Sequence, residues 1–141
     1  MTPYENIYNA FLAQIQEDEW QEWSEWEREE DWFQLLSAAV SWFKFPRTSL
    51  KMEEEGLEGD LSNIEIQILV AYMKHTWLER VVLSWENLRP LYSERDFSPA
   101  TMLDKFRQQV EHQLKIAKEL EARYYRSVDG SPYSYSNLAG G

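Results

Sequence analysis

A chain of 141 residues without cysteine has the length of one domain and excludes disulfides, thiolate metal sites and cysteine nucleophiles. Hydrophobic residues at 43% exclude a disordered chain, and an aromatic share of 15% predicts more buried area than one small core requires. The net charge of −11 lies wholly in residues 1–60, with 15 Asp/Glu against 4 Lys/Arg, while residues 61–141 hold 10 of each; such a surface repels phosphate backbones and argues against sequence-specific nucleic-acid binding.

Thr2-Pro3 followed by Glu5 has the form of a helix start with proline in the first turn. Tyr4, Ile7, Tyr8, Phe11, Leu12 and Ile15 recur at steps of three and four, predicting an amphipathic helix from Pro3 to about Gln16. Between Glu17 and Asp31, Trp20, Trp23 and Trp26 stand three apart among carboxylates. On a helix, or two joined helices, they form a stripe. That stripe packs on the core, docks a neighbouring chain or stacks on a sugar, and spacing alone leaves these readings open. Asp31 to Phe43 continues as a helix with a wide apolar face, from Trp32 and Phe33 to Trp42 and Phe43, which predicts a central position. Pro46 ends it, because Phe45 before proline is pushed out of the helical region.

Lys44 to Leu50 reads as extended chain with the weak alternation of a short strand. Met52 to Asp60, with four Glu and two Gly, reads as an exposed acidic loop. Ser62-Asn63-Ile64-Glu65 is a capping box. It opens a helix whose Ile64, Ile68, Tyr72, Leu78, Val81, Val82, Trp85 and Leu88 keep helical spacing. Apolar stretches nearly all round make this the central buried helix, and it stops before Pro90. Ser98 and Pro99 start the last helix, which runs to about Arg126 with Leu103, Phe106, Val110, Leu114, Ala117, Leu120 and Tyr124 as its stripe. Ser127 to Gly141 is rich in small and turn residues and is not helical. Its Tyr133, Tyr135 and Leu138 suit an extended arm that orders on a partner, the alternative being a tail with no role. The expected fold class is therefore all-α: a bundle of about four helices over residues 1–126, an extended segment near 44–50 and a C-terminal arm at 127–141.

No catalytic, cofactor or metal site is expected. Of the two histidines, His75 lies in the most apolar helix and His112 on a charged face, and neither is read as having a metal-ligand partner one turn away. The carboxylates Glu17, Glu19, Glu22, Glu25, Glu29 and Glu30 form a solvated helix face, in which nothing selects a general acid. Glu53-Glu54-Glu55-Gly56 lacks the alternating ligands of a calcium loop, and there is neither a phosphate loop nor a nucleophile elbow. The start, Met1 to Glu5, lacks the regions of a signal peptide. No apolar run approaches a membrane span; the longest, Ile66 to Met73, is interrupted by Gln67.

Several stretches carry a resemblance. They are Tyr4 to Tyr8, Phe43-Lys44-Phe45-Pro46-Arg47, Asp60 to Leu69, Tyr72 to Arg80, Tyr92 to Ser98 and Leu120 to Ser127. Over most of residues 1–127 the chain resembles the small neck, or head–tail connector, proteins of tailed bacteriophages, especially phages of Gram-positive hosts. The shared features are packing residues. The Trp-rich segment from Trp20 to Trp32 exceeds the family pattern. The resemblance implies a helical subunit of a ring, commonly twelve-fold, located in the virion neck after synthesis in the host cytoplasm. Its implied partners are copies of itself, the portal protein and a further neck or tail protein, with the acidic surface letting DNA pass. On this reading Tyr124, Tyr125, Arg126, Tyr133, Tyr135 and Leu138 are interface residues of the arm, and Trp20, Trp23 and Trp26 a further contact. Alternatives are a tail-completion or baseplate part, or a small acidic DNA mimic that blocks a nucleic-acid-binding protein.

Overall fold

The structure, a computed structural model, describes the backbone of residues 1–15, 25–88, 99–128 and 131–132, and their side chains except at 25–28, 84–88, 99–103, 128 and 131–132. Within these residues the fold is all-α. The elements are β1 (Thr2–Pro3), α1 (Tyr4–Gln14), α2 (Glu25–Trp42), β2 (Gly56–Leu57), α3 (Asn63–Leu88), α4 (Pro99–Tyr125), β3 (Ser127–Val128) and β4 (Ser131–Pro132). No described helix is long and apolar enough to cross a membrane.

The capping box forms as its spacing requires. The Ser62 N–H donates to Glu65 Oε1 at 2.9 Å, and the Glu65 N–H returns toward Ser62 Oγ at 3.4 Å. From there α3 runs for 26 residues, roughly 39 Å at 1.5 Å per residue. It is the central helix, with α4, α2 and α1 all packed on it. Six consecutive residues, Ile68 to Met73, are buried, which is possible only for a helix covered on every side. α2 is not central: Leu35, Leu36, Ala39 and Phe43 are buried along one face, while Phe33 and Trp42 remain exposed. Asp31 at its middle pairs with Arg80 of α3. The aromatic stripe of α1 packs as expected, with Ile7 and Phe11 fully buried.

Three local expectations are corrected. First, α1 starts at Tyr4, with Pro3 at the capping position and no side-chain cap. The Thr2 hydroxyl is committed elsewhere, donating to the Gly59 carbonyl at 2.7 Å and accepting from the Leu61 N–H at 2.9 Å. Second, Met52 to Asp60 is more than an exposed loop. Gly56 and Leu57 pair with Pro3 and Thr2, and Leu57 is fully buried. The chain from Ser49 to Met52 turns back on itself through bonds from Glu53, Glu58 and Gly59 to Gly56, Lys51 and Ser49. Strand-like pairing thus starts at Ser49, at the far end of the segment expected to be extended. Gly56 is required because a Cβ there would strike the Thr2 carbonyl. Third, the buried line of α4 is Gln113, Ala117, Glu121 and Tyr124, with Val110, Leu114 and Leu120 half-buried beside it. The seam between the two longest helices is therefore partly polar. Gln113 resolves its burial by donating to the Ala71 carbonyl at 3.2 Å.

Candidate interaction face

At one end of the α3–α4 pair the irregular chain after α2 crosses the C-terminus of α4. Irregular backbone has N–H groups with no helical partner, and each must find an acceptor. Three side chains of α4 supply them. The Lys44 N–H donates to Glu121 Oε2 at 3.3 Å, the Phe45 N–H to the Tyr125 phenol at 3.0 Å, and the Arg47 N–H to the Tyr124 phenol at 2.6 Å. Positions 121, 124 and 125 lie on one helical face by the steps of three and four that define it. The helix thus acts as a template for an otherwise unstructured segment.

Two buried carboxylates complete the frame. Glu121 accepts from the phenols of Tyr72 and Tyr125, one on each oxygen. Glu65 accepts from Thr48 at 2.8 Å and from the Tyr124 phenol at 2.9 Å, in addition to its capping bonds. Burial alone would raise the Glu65 carboxyl, but the bonds from Ser62, Thr48 and Tyr124 outweigh it and hold the group below the ordinary carboxylate range. Burial, then the bond to Glu121, pushes the Tyr125 phenol up to about 12. Burial and the same carboxylate raise Tyr72 as well.

Arg47 closes the end of α4. Its guanidinium lies 4.3 Å from the centre of the Tyr124 ring and donates to the carbonyls of Tyr124 at 2.5 Å and Ser127 at 2.6 Å. A cation at the carbonyl end of a helix satisfies groups left without helical partners and opposes the helix dipole. Immediately beyond, Ser127–Val128 pairs antiparallel with Ser131–Pro132. The expected extended arm therefore begins as a tight hairpin.

This frame holds up an aromatic surface. Phe45 is 71% exposed, Tyr125 37% and Trp42 37%. Phe45 packs edge-on to Tyr125 at 6.0 Å, and Trp42 stacks on Tyr72 at 5.5 Å with planes 8° apart. Tyr72 and Tyr125 meet through Glu121, so the three exposed rings belong to one connected unit. Large aromatics held in fixed positions, half in solvent, are the usual chemistry of protein interfaces.

The expected interface residues divide. Tyr124 is only 2% exposed and belongs to the core: its ring meets Phe43 at 5.3 Å, and its hydroxyl is shared by Glu65 and Arg47. It leaves the interface set. Tyr125 stays on the surface. Arg126 is exposed and joins Lys115, Lys118 and Arg123 along a shallow strip of α4 that also carries Glu111 and Glu119. Tyr133, Tyr135, Leu138, Trp20 and Trp23 lie outside the described residues, as does the Trp26 side chain. Trp42 and Phe45 were not singled out as interface residues by spacing. The one available signal was an aromatic residue fixed in extended chain by Pro46.

His75 also changes. It has a carboxylate one turn on: its Nε2 lies 3.1 Å from Glu79, and its Nδ1 3.3 Å from the Val110 carbonyl. This is a satisfied core histidine bridging α3 and α4. Among the described residues no three His, Asp or Glu side chains gather as a metal site needs.

Comparison with protein-family models, with curated proteins and with solved structures finds no match for this chain.

Proposed function

We propose that this chain is a structural subunit of a tailed-phage neck, a head–tail connector that joins portal to tail and acts through protein contacts rather than catalysis. The observation that carries the reading is the aromatic face of Trp42, Phe45 and Tyr125, exposed yet fixed by a buried hydrogen-bonded frame. A surface that only needed to meet water would not hold these rings in place; a surface that must match another chain gains from it, since ordering is complete before contact. The phage assignment itself draws on the resemblance, and its two stretches Phe43 to Arg47 and Leu120 to Ser127 supply most of the frame. Copies of the same chain in a ring, the portal protein and a further neck or tail protein are the proposed partners. The exposed carboxylates of Glu53, Glu54, Glu55 and Glu58 would give an acidic rim over which DNA passes without binding.

Electron microscopy of tailed virions carrying a gold-labelled copy of this chain tests the proposal. Label at the junction of head and tail is the expected result. Label at the distal end of the tail would replace the neck reading with a baseplate reading, and absence of label from particles would overturn both.

A further inference from the structure

The side of α4 turned away from α3 carries charges of both signs in an order that complements itself. We propose that two copies of this chain pair through it, their α4 helices antiparallel about a two-fold axis between Lys118 and Glu119. The contact uses none of the three exposed rings and does not rest on the neck reading. A two-fold pairing is also distinct from the head-to-tail contacts that close a ring.

Three observations support a second copy as the occupant. The first is that this side is open. At about 100° per residue, Glu111, Lys115, Lys118, Ala122 and Arg126 run along the side of α4 opposite the buried Gln113, Ala117 and Tyr124. The charged residues among them are exposed, and Ala122 is half-buried. The second is that the charges stay unused within the chain. Glu111 and Lys115, and Glu119 and Arg123, have the one-turn spacing of a helix ion pair. Among the described residues none of these side chains forms one. The third is register. With Lys118 opposite Glu119 of the second copy, antiparallel pairing sets Glu111 opposite Arg126 and Lys115 opposite Ala122. Symmetry repeats each pairing, so opposite charges meet in the middle and at both ends, and like charges meet nowhere. Ala122 leaves room for the apolar stem of Lys115. Parallel pairing would instead set Glu111 on Glu111 and Lys118 on Lys118, which repel. The overall charge does not forbid contact. Residues 99–126 carry six Lys/Arg against four Asp/Glu, unlike the acidic first 60 residues. At about 0.15 M salt, charges more than roughly 8 Å apart are largely screened, which leaves the local order to decide.

Sedimentation of the purified full chain at about 0.15 M salt tests the pairing. Wild type is expected to show a monomer–dimer equilibrium that Phe45→Ser leaves unchanged. One double variant, Glu111→Lys with Glu119→Lys, and another, Lys118→Glu with Arg126→Glu, each set like charges opposite one another. Alone, each should dimerise at least about tenfold more weakly than wild type. An equimolar mixture of the two should restore the dimer, because their reversed sides complement each other. All four positions are exposed, and a melting temperature within a few degrees of wild type identifies a folded variant. The chain lacks cysteine, so Asp104→Cys gives a unique nitroxide site. In the antiparallel dimer the two labels should lie roughly 45 Å apart, whereas a parallel dimer would bring them within about 20 Å. A wild-type chain that stays monomeric at about 1 mM overturns the inference. So does a double variant that dimerises as wild type does, a mixture that stays monomeric, loss of the dimer in Phe45→Ser, or the short label distance. Because the test uses the isolated subunit, its failure leaves the neck proposal standing, and failure of virion labelling leaves this result standing.

Discussion

Tyr124 and Tyr125 are neighbours in sequence and opposites in use. Tyr124 is closed into the core, bonded to Glu65 and Arg47 and packed on Phe43, while Tyr125 keeps its hydroxyl inside on Glu121 and its ring outside beside Phe45. The two lie about 100° apart around α4, so on the face they share Tyr124 sits beneath Phe43 and Arg47 while the Tyr125 ring lies at its solvent edge. The comparison teaches that the interaction face is supported rather than merely exposed. Damage to the frame should destroy the fold, whereas damage to the face should destroy only contact.

The largest effect is expected where the frame is emptied. Tyr124→Ala removes a buried aromatic and should cost about 3–5 kcal/mol, read as a lower urea midpoint. Tyr124→Phe keeps the ring but leaves Glu65 and the Arg47 N–H without the phenol, and should cost about 1–3 kcal/mol. A similar cost of about 1–3 kcal/mol is expected for Gly56→Ala, which drives a methyl group into the Thr2 carbonyl and loosens the N-terminal clasp.

The frame also gives stability a dependence on pH. Glu65 is held below its ordinary value of 4.5, so its contribution is complete above that value and is lost as pH falls through the folded pKa. Glu65→Gln should flatten the acid limb of a melting-temperature profile. At the alkaline end the sign reverses. Tyr125, raised from 10.0 to about 12, contributes fully below pH 10 and loses that contribution as the pH rises toward 12. Tyr125→Phe should make the alkaline limb shallower. The smallest stability effect belongs to the face itself: Phe45→Ser, at a residue 71% exposed, should shift stability by less than about 0.5 kcal/mol.

Much of this architecture was legible because it is local. The capping box at Ser62 to Glu65 announced α3, and a stretch from Ile66 to Val70 that is apolar nearly all round, Gln67 excepted, announced its central place. What sequence reading missed depends on partners far apart in the chain. Glu121 looks like one more charge on a charged helix, and nothing within a few residues marks it as the acceptor for Tyr72, 49 residues away, or for the Lys44 N–H, 77 away. The stripe drawn through Leu114 and Leu120 was displaced for the same reason, because buried hydrogen bonds allow Gln113 and Glu121 to occupy the centre of the seam. Tyr124 stands in the apolar stripe of the last helix, and only the resemblance assigns it to the arm's interface; its 2% exposure keeps it with the stripe. Its burial follows from Phe43 and Arg47, which the segment after α2 brings against it from about 80 positions away in the chain.

The most direct test of the supported face is the virion content of Phe45→Ser compared with wild type, measured alongside the melting temperature of the purified chains. The account predicts a melting temperature within a few degrees of wild type and loss of the variant from particles. Incorporation at the wild-type level by a normally folded variant would contradict it.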